Sequence, residues 1–234
     1  MWAVAKREYI SFFKNPIGYF LLAIYGVLSA IVFSIFVLWN NTSYLGEYFG
    51  FYLILVDIAV ISVMAMRFFS EDKKLKTEQL LFTVPTSVPS LVLGRFIGAM
   101  LVFWTASLVN LLYIVVVDIF GNLDYGALFT NFVGSLLLTG TMMSIAIFIS
   151  AVTESPIASA AGTLATLFGL MVIDFFAMFM PSWLGRIVMK LTIYSYYDDF
   201  TNGILNLVPI VYYISITAVM LFLTVRMIEK RRWS

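Results

Sequence analysis

The chain has 234 residues, of which 62% are hydrophobic and only 12% are charged, and its mean hydropathy is +0.99. A soluble domain of this length needs far more polar surface, so the composition indicates a protein that lies almost entirely in a membrane. The absence of Cys and His excludes disulfides, thiol nucleophiles, Cys/His metal sites and Ser-His-Asp catalysis.

Residues 1–15 predict an interfacial elbow helix that lies along one leaflet before the first membrane span. At about 100° per residue, apolar and polar side chains fall on opposite faces. The apolar face carries Trp2, Ala5, Tyr9, Phe12 and Phe13, and the polar face carries Arg7, Ser11 and Lys14. We expect Trp2, Tyr9 and Phe12 to anchor the helix, which ends at Asn15 and Pro16. An ordinary basic flank that only sets orientation is the alternative.

Six apolar runs are each long enough to cross a hydrocarbon core of about 30 Å, which takes about 20 helical residues. They extend over roughly residues 17–39, 49–69, 91–117, 128–152, 157–180 and 210–227. The first run is too long for the apolar region of a signal peptide, and no small-residue cleavage site follows it, so we expect an uncleaved span. The sequence therefore predicts a single all-α integral membrane domain, residues 1–234, with six transmembrane helices.

The basic residues indicate the orientation of these spans, because cytoplasmic loops concentrate Lys and Arg. With six crossings, twelve of the fourteen basic residues fall on one side, and only Arg186 and Lys190 fall on the other. We therefore predict that the N and C termini are both cytoplasmic. The basic residues flank the spans and form no patch, and the net charge is +1, so no nucleic-acid partner is expected.

Between the second and third spans, residues 70–90 predict a charged cytoplasmic helix with an apolar tip. Six of eight consecutive residues are charged: Glu71, Asp72, Lys73, Lys74, Lys76 and Glu78. Apolar Leu80, Leu81, Phe82 and Val84 follow, before Pro85 and Pro89. Such a helix suits docking onto a soluble partner, with its tip in a pocket and its charges setting the register. A solvated turn whose tip rests on the membrane is an equally weighted alternative.

Two acidic residues lie within the spans, Asp57 in the second and Asp174 in the fifth. An ionisable group at membrane depth is costly and marks a functional candidate, so both are candidates for a transport pathway. Their positions also allow both to lie nearer the outer interface.

Residues 181–209 are expected outside the membrane, on the non-cytoplasmic side. They include Trp183 and three tyrosines, Tyr194, Tyr196 and Tyr197. An aromatic belt at headgroup depth is the favoured interpretation, and a gate over an export path is the alternative.

Three blocks of the sequence resemble the permease subunits of type-2 ABC transporters, the ABC-2 superfamily, and particularly its gliding-motility-associated group. The blocks begin at Lys6-Arg7-Glu8, at Met66-Arg67-Phe68-Phe69 and at Asp199-Phe200, and the second continues through Thr77-Glu78-Gln79-Leu80-Leu81-Phe82 to Gly94-Arg95. The second block is the most specific. Leu75-Lys76 and Val208-Pro209 depart from the pattern of the group.

The resemblance implies a six-span permease in the inner, cytoplasmic membrane that works as a dimer with an identical or related chain. It also implies export, driven by separate cytoplasmic ABC ATPase subunits that contact the elbow and the loop after the second span. The residues that it suggests for ATPase coupling are Glu71, Lys73, Lys74, Glu78, Leu81 and Phe82.

The chain has no G-x-x-x-x-G-K-[ST] run, so it carries no P-loop for nucleotide phosphates. We expect no cofactor and no enzymatic activity in this chain, with ATP and Mg²⁺ bound by the partner subunits. Two alternatives remain: a scaffold that does not transport, and an integral-membrane enzyme that acts on a lipid. Asp198-Asp199 is the acid pair such an enzyme would use for Mg²⁺, but such sites usually recruit several carboxylates. No feature of the sequence identifies the cargo.

Overall fold

The computed structural model describes residues 1–39, 45–46, 48–74, 87–121, 123–177 and 179–232. These residues form helices and turns, and no strand occurs among them. Six helical spans are long and apolar enough to cross a membrane: Pro16–Leu38, Tyr48–Lys74, Val88–Phe120, Tyr125–Val152, Pro156–Ala177 and Leu207–Arg231. The predicted all-α fold with six transmembrane helices is thus confirmed, and these ranges are the first to sixth spans below.

The first three spans are not single regular helices. The first is an α-helix, Pro16–Phe33, followed by a π-helical turn, Ser34–Leu38. The second comprises a π-helical turn and two α-helices, Tyr48–Tyr52, Leu53–Ala65 and Phe69–Lys74. The third divides at Leu108 into Val88–Ser107 and Val109–Phe120. Outside the spans lie the helices Trp2–Lys14, Ser182–Met189 and Asp198–Thr201 and the 3-10 turn Ser195–Tyr197, and the sixth-span helix itself ends at Arg232.

Local sequence signals explain where several helices begin. Asn15 is extended because it precedes Pro16, and Pro16 then opens the first span, where its missing N–H removes no helical hydrogen bond. Pro156 opens the fifth span in the same way. The fourth span begins after Asp124, whose Oδ1 accepts hydrogen bonds from the backbone N–H groups of Gly126 and Ala127 at 2.9 and 3.2 Å.

The second and fourth spans form the centre of the bundle. In the most apolar stretch of the second and fourth spans, 56% and 61% of the residues are buried, whereas in that of the fifth span only 17% are buried. The fifth span packs on both of them, the first on the second and third, and the sixth on the fourth and third. The outer spans therefore present most of their apolar surface outward, as expected of helices in contact with lipid.

The N-terminal helix, Trp2–Lys14, packs on the third span rather than only on a membrane surface. Gly94 and Gly98 make this close approach possible: a Cβ at Gly94 would lie 2.7 Å from Val4 Cβ, and one at Gly98 would lie 2.9 Å from the Ala5 carbonyl oxygen. Small residues in membrane helices commonly allow such contacts. The glycine pair therefore seats the N-terminal helix.

The three aromatic residues predicted to anchor this helix do not share one environment. Phe12 is buried against the protein, Tyr9 is half-buried with its hydroxyl 3.2 Å from Thr105 Oγ1, and Trp2 is 66% exposed. Only Trp2 is therefore positioned to enter surrounding lipid with most of its ring, because protein contacts already cover Phe12.

The bundle has two distinct ends. At one end lie the N-terminal helix, the helix Phe69–Lys74, the turn after Val152 and the last turn of the sixth span. Three contacts show this: Arg95 pairs with Asp72, Lys73 donates to the Thr153 carbonyl, and Arg231 donates to the Val152 carbonyl at 3.2 Å. We call this the basic end. Residues 190–206 lie at the other end, the tyrosine end. The N-terminal helix and the last turn of the sixth span both lie at the basic end, and the charge bias predicts that this end is cytoplasmic.

Candidate functional site

Arg95 is the centre of an ionic junction at the basic end. Its side chain is only 4% exposed, its Nε lies 3.4 Å from Glu8 Oε1, and its Nη2 donates to Asp72 Oδ2. The guanidinium also lies over the Phe69 ring, 4.2 Å from the centroid. One buried cation in the third span thus connects the N-terminal helix to the helix that leads into residues 75–86.

Arg67 makes a second connection between the same two regions. Its guanidinium lies 4.6 Å from the centroid of the Phe12 ring, and its Nε lies 3.4 Å from Glu71 Oε2, one helical turn further along the chain. Both arginines therefore link the segment Phe69–Lys74 to the N-terminal helix.

The two lysines predicted for ATPase coupling have different environments. Lys73 Nζ donates to the carbonyl groups of Ser150, Ala151 and Thr153, where the fourth span ends. A cation there satisfies carbonyl groups that have no helical partner and interacts favourably with the helix dipole. Lys74 is exposed. Glu71 and Lys73 thus make contacts within the chain, whereas Glu78, Leu81 and Phe82 lie outside the described residues.

A cluster of serines makes hydrogen bonds where the second span is interrupted. The helix Leu53–Ala65 ends where Met66–Phe68 turn, and the Ala65 carbonyl accepts hydrogen bonds from Ser150 Oγ and Ser159 Oγ, each at 3.0 Å. Ser70 N–H in turn donates to Ser150 Oγ at 3.1 Å. Two neighbouring spans therefore supply the partners that the broken helix lacks. Sequence reasoning missed these serines, since isolated serines in apolar runs carry no local signal.

At the tyrosine end, residues 190–202 form an inserted segment that enters the bundle. Ile193, Tyr194, Tyr197 and Phe200 are all buried. Tyr194 donates to the Leu167 carbonyl at 3.0 Å, near the middle of the fifth span, and Tyr197 donates to the Asn131 carbonyl at 3.4 Å. Burial, followed by the charge of Asp57, raises the pKa of both hydroxyls. Tyr194 and Tyr197 therefore pack inside the protein, which differs from the aromatic-belt interpretation.

Asp174 lies where the fifth span meets the inserted segment. Thr192 and Ser195 both donate their hydroxyls to its Oδ1. Asp174 and Asp198 line a pocket of about 530 Å³ between the second span, the fifth span and the inserted segment. Desolvation, and then the charges of Asp174 and Asp199, raise the pKa of Asp198. Among the described residues no group of three carboxylates lies close enough to hold a metal ion. The pocket is therefore acidic, but its described residues do not form a metal site.

Asp57 has a different environment, in the interior between the first three spans. It is 4% exposed, and it shares the wall of one cavity with Tyr25 and Asn110. Asn110 Nδ2 donates to the Tyr25 hydroxyl at 3.0 Å, and the Tyr48 hydroxyl donates to Asn110 Oδ1 at 3.1 Å. Asp57 Oδ1 has no hydrogen-bond partner. The structure keeps Asp57 and Asp174 apart, on separate polar networks and in separate cavities.

These features coincide with a known family. The family model of ABC-2 family transporter proteins matches residues 40–231, which is most of the chain. The chain belongs to the ABC-2 transporter family. With its six apolar spans it is a multi-pass membrane protein and a transmembrane permease component of an ABC transporter, a class usually found in the inner membrane.

The match is to the ABC-2 family as a whole, so membership of the gliding-motility-associated group stays a prediction. No curated protein matches the sequence closely. The residues most informative about the basic end of this ABC-2 permease, Arg95 and Ser150, were not among the predicted site residues. Two signals were available: Arg95 lies inside an apolar run, and it ends the second block of the resemblance.

Proposed function

We propose that this chain is the permease subunit of an ABC exporter, that it pairs with a second permease chain, and that separate cytoplasmic ATPase subunits drive it from the basic end. ABC-2 permeases generally work with ATPase subunits. The observation that carries the proposal is the ionic junction, in which Arg95 connects Glu8 of the N-terminal helix to Asp72 at the start of the predicted coupling loop.

The junction offers a physical route for coupling. A force on residues 75–86 acts first on the helix Phe69–Lys74, and that helix is tied to the N-terminal helix through Arg95 and to the fourth span through Lys73. Paired charges with low exposure resist separation, since a buried ion left without its partner costs several kcal/mol. Movement imposed at the loop would therefore be transmitted to the third and fourth spans instead of being absorbed locally.

The sequence supports this division of work between the subunits. The chain has no P-loop motif, so ATP and Mg²⁺ belong to the ATPase subunits, and this chain supplies the membrane path and the docking surface. We place that path at an interface with the second permease chain. Asp57 and Asp174 are the candidates for polar groups along it.

The proposal is tested by isolating the untagged native complex, identifying its subunits by mass spectrometry and measuring ATP hydrolysis after reconstitution. We expect cytoplasmic ATPase chains to co-purify, and we expect the double variant Leu81→Ala/Phe82→Ala to lose most of the bound ATPase, because truncating two apolar anchors costs about 2 kcal/mol or more.

Ile204→Ala/Leu205→Ala is the matched control, because these two apolar residues are exposed at the tyrosine end. It should bind the ATPase as the unaltered chain does. Equal binding by both double variants would move the docking site elsewhere. Failure of the unaltered chain to bind any ATPase would favour a scaffold that does not transport.

A further inference from the structure

Asp57 lies in the wall of a cavity of about 400 Å³ between the first four spans. A cavity of this size is typical of small-ligand sites, which are mostly apolar with a few polar groups. The polar members of this wall include Tyr25, Asp57, Asn110 and Thr139, and most of the other members are apolar. The cavity is separate from the ionic junction at the basic end.

The two parts of the cavity differ in exposure. Tyr25, Asp57, Phe103 and Asn110 are buried and form its floor. Leu108, Leu111 and Phe132 are between 52% and 60% exposed and form its mouth on the side of the bundle, between the third and fourth spans. A ligand would therefore meet apolar side chains first and the carboxyl group last.

The hydrogen bonds of the floor run in one direction. Tyr48 donates to Asn110 and Asn110 donates to Tyr25, so the Tyr25 hydroxyl keeps its own proton for an acceptor in the cavity. Such a chain strengthens the donor at its last member, because each donor polarises the next. Asp57 lines the same cavity, and its Oδ1 has no hydrogen-bond partner.

No cation among the described residues completes this arrangement. None of the ion pairs between described residues involves Asp57, and the basic side chains that the structure describes in the second and third spans, Arg67, Lys73, Lys74 and Arg95, belong to the basic end. A carboxylate buried without a counter-ion is unfavourable, and either a proton or a hydrogen-bonding cation relieves it. The aromatic rings of Tyr25 and Phe103 in the floor also favour a cation.

We propose that this cavity binds the ammonium group of an amphiphilic amine, with Asp57 as the counter-ion and the apolar mouth around the alkyl or aryl body. The inference rests on the proposed function only in making such amines candidate cargo. Binding itself is a property of the permease chain and is measured without ATPase subunits, so a failure of either idea is distinguishable from a failure of the other.

The test is equilibrium binding of radiolabelled dodecylamine to the purified chain in phosphatidylcholine nanodiscs, with empty nanodiscs as background and radiolabelled dodecanol as the neutral match. We expect saturable binding of the amine. Asp57→Asn should weaken it by at least about tenfold, the equivalent of about 1.4 kcal/mol, and should leave the alcohol unaffected. Asp118→Asn is the matched control and should bind the amine normally, because Asp118 is exposed, accepts a hydrogen bond from Tyr125 at 2.6 Å and lies outside the cavity wall.

Amine binding by Asp57→Asn at the level of the unaltered chain would overturn the proposal, as would equal affinity for amine and alcohol. If Asp57→Asn does not give folded protein, Leu111→Trp narrows the exposed mouth without touching the carboxyl group, and full amine binding by that variant would also overturn it. Adding phosphatidylethanolamine to the nanodiscs distinguishes the sources. Displacement of dodecylamine assigns the site to a lipid headgroup amine, and no displacement assigns it to free amines.

Discussion

The two ends of this permease are held together by different chemistry. At the basic end, Arg95, Arg67 and Lys73 connect separate helices through ion pairs, ring contacts and helix-end carbonyl groups. At the tyrosine end, neutral hydroxyl groups of Tyr194, Tyr197 and Tyr213 reach backbone carbonyl groups inside the bundle. The basic end therefore links separate helices through charged side chains, whereas the tyrosine end packs neutral rings and hydroxyl groups into the bundle.

The energetic consequences of the two designs differ. Removing the buried cation of an ion-pair junction takes a charge contact from each helix that it joins, so the cost is large and falls on several elements together. Removing one neutral hydrogen bond costs about 1 kcal/mol, and the packed ring remains. The following predictions test whether that contrast holds, from the largest effect to the smallest.

Arg95→Met should have the largest effect on stability. It leaves Glu8 and Asp72 without their shared cation, and we expect a loss of about 3–5 kcal/mol in the free energy of unfolding. Arg226→Met is the control, because Arg226 pairs with Glu229 on the surface at 3.0 Å and is 64% exposed, and it should cost at most about 1 kcal/mol. The measurement is unfolding in mixed micelles with dodecyl sulfate. Similar losses in the two variants would refute the structural role of the junction.

Gly134→Ala should have the next largest effect, at the tyrosine end. A Cβ at Gly134 would lie 2.6 Å from Cγ of Phe200. The Phe200 ring is fully buried, and the backbone carbonyl of Phe200 accepts a hydrogen bond from Thr130. Because the ring has no free space to enter, we expect a cost of about 1–3 kcal/mol.

Gly169→Ala is the matched control for Gly134→Ala. It also lies within a membrane helix, and nothing lies within 4 Å of its added Cβ. Alanine should therefore be neutral there or stabilising by up to about 1 kcal/mol. Equal thermal stability of the two variants in the same detergent would show that the inserted segment is not packed as described.

Lys73→Met should cost about 1 kcal/mol, because it removes a cation from the carbonyl groups at the end of the fourth span. Lys74→Met changes an exposed neighbour and should alter the free energy of unfolding by less than about 0.5 kcal/mol. ATPase binding should show the reverse order if Lys74 contacts the partner. A greater loss of stability in Lys74→Met would contradict the assigned contacts.

The sequence was sufficient to predict the six spans, because length and hydropathy are local properties that a bilayer demands of every crossing helix. It was not sufficient to predict whether a given apolar side chain packs on protein or faces outward. Phe12 and Trp2 fall on the same predicted apolar face, yet one packs on protein and the other is exposed, since lipid and protein interior select the same side chains. The pairing of Glu8 with Arg95 depends on residues far apart in the chain, which no local pattern reveals.

The tyrosines show the same limitation at the other end. Tyr194 and Tyr197 were predicted at headgroup depth because a hydroxyl group usually seeks water or headgroups. Carbonyl groups of Leu167 and Asn131 serve that purpose inside the bundle. The positions of those acceptors follow from the insertion of residues 190–202, which is a tertiary feature, so the favoured interpretation failed where the fold supplied an internal partner.

The smallest predicted effect is a pH dependence at the tyrosine end. Desolvation and the charges of Asp174 and Asp199 raise the pKa of Asp198 above its unfolded value, so the folded protein binds this proton more tightly than the unfolded chain does. The ionised form therefore destabilises the fold above the raised pKa. That destabilisation is relieved as the pH falls through the raised pKa towards the ordinary value of about 3.9. Since the Asp198 side chain is only partly removed from water, the gain is small.

Asp198→Asn removes the titrating group and should remove this part of the pH dependence. Thermal unfolding followed between about pH 7 and pH 4 should show the melting temperature of Asp198→Asn exceeding that of the unaltered chain at neutral pH, by no more than about 2 °C, with the difference disappearing on acidification. Other carboxyl groups titrate in both proteins, so only the difference between the two curves is diagnostic. A difference that widens as the pH falls would mean that ionised Asp198 is stabilising, and the tyrosine end would then depend on charge as the basic end does.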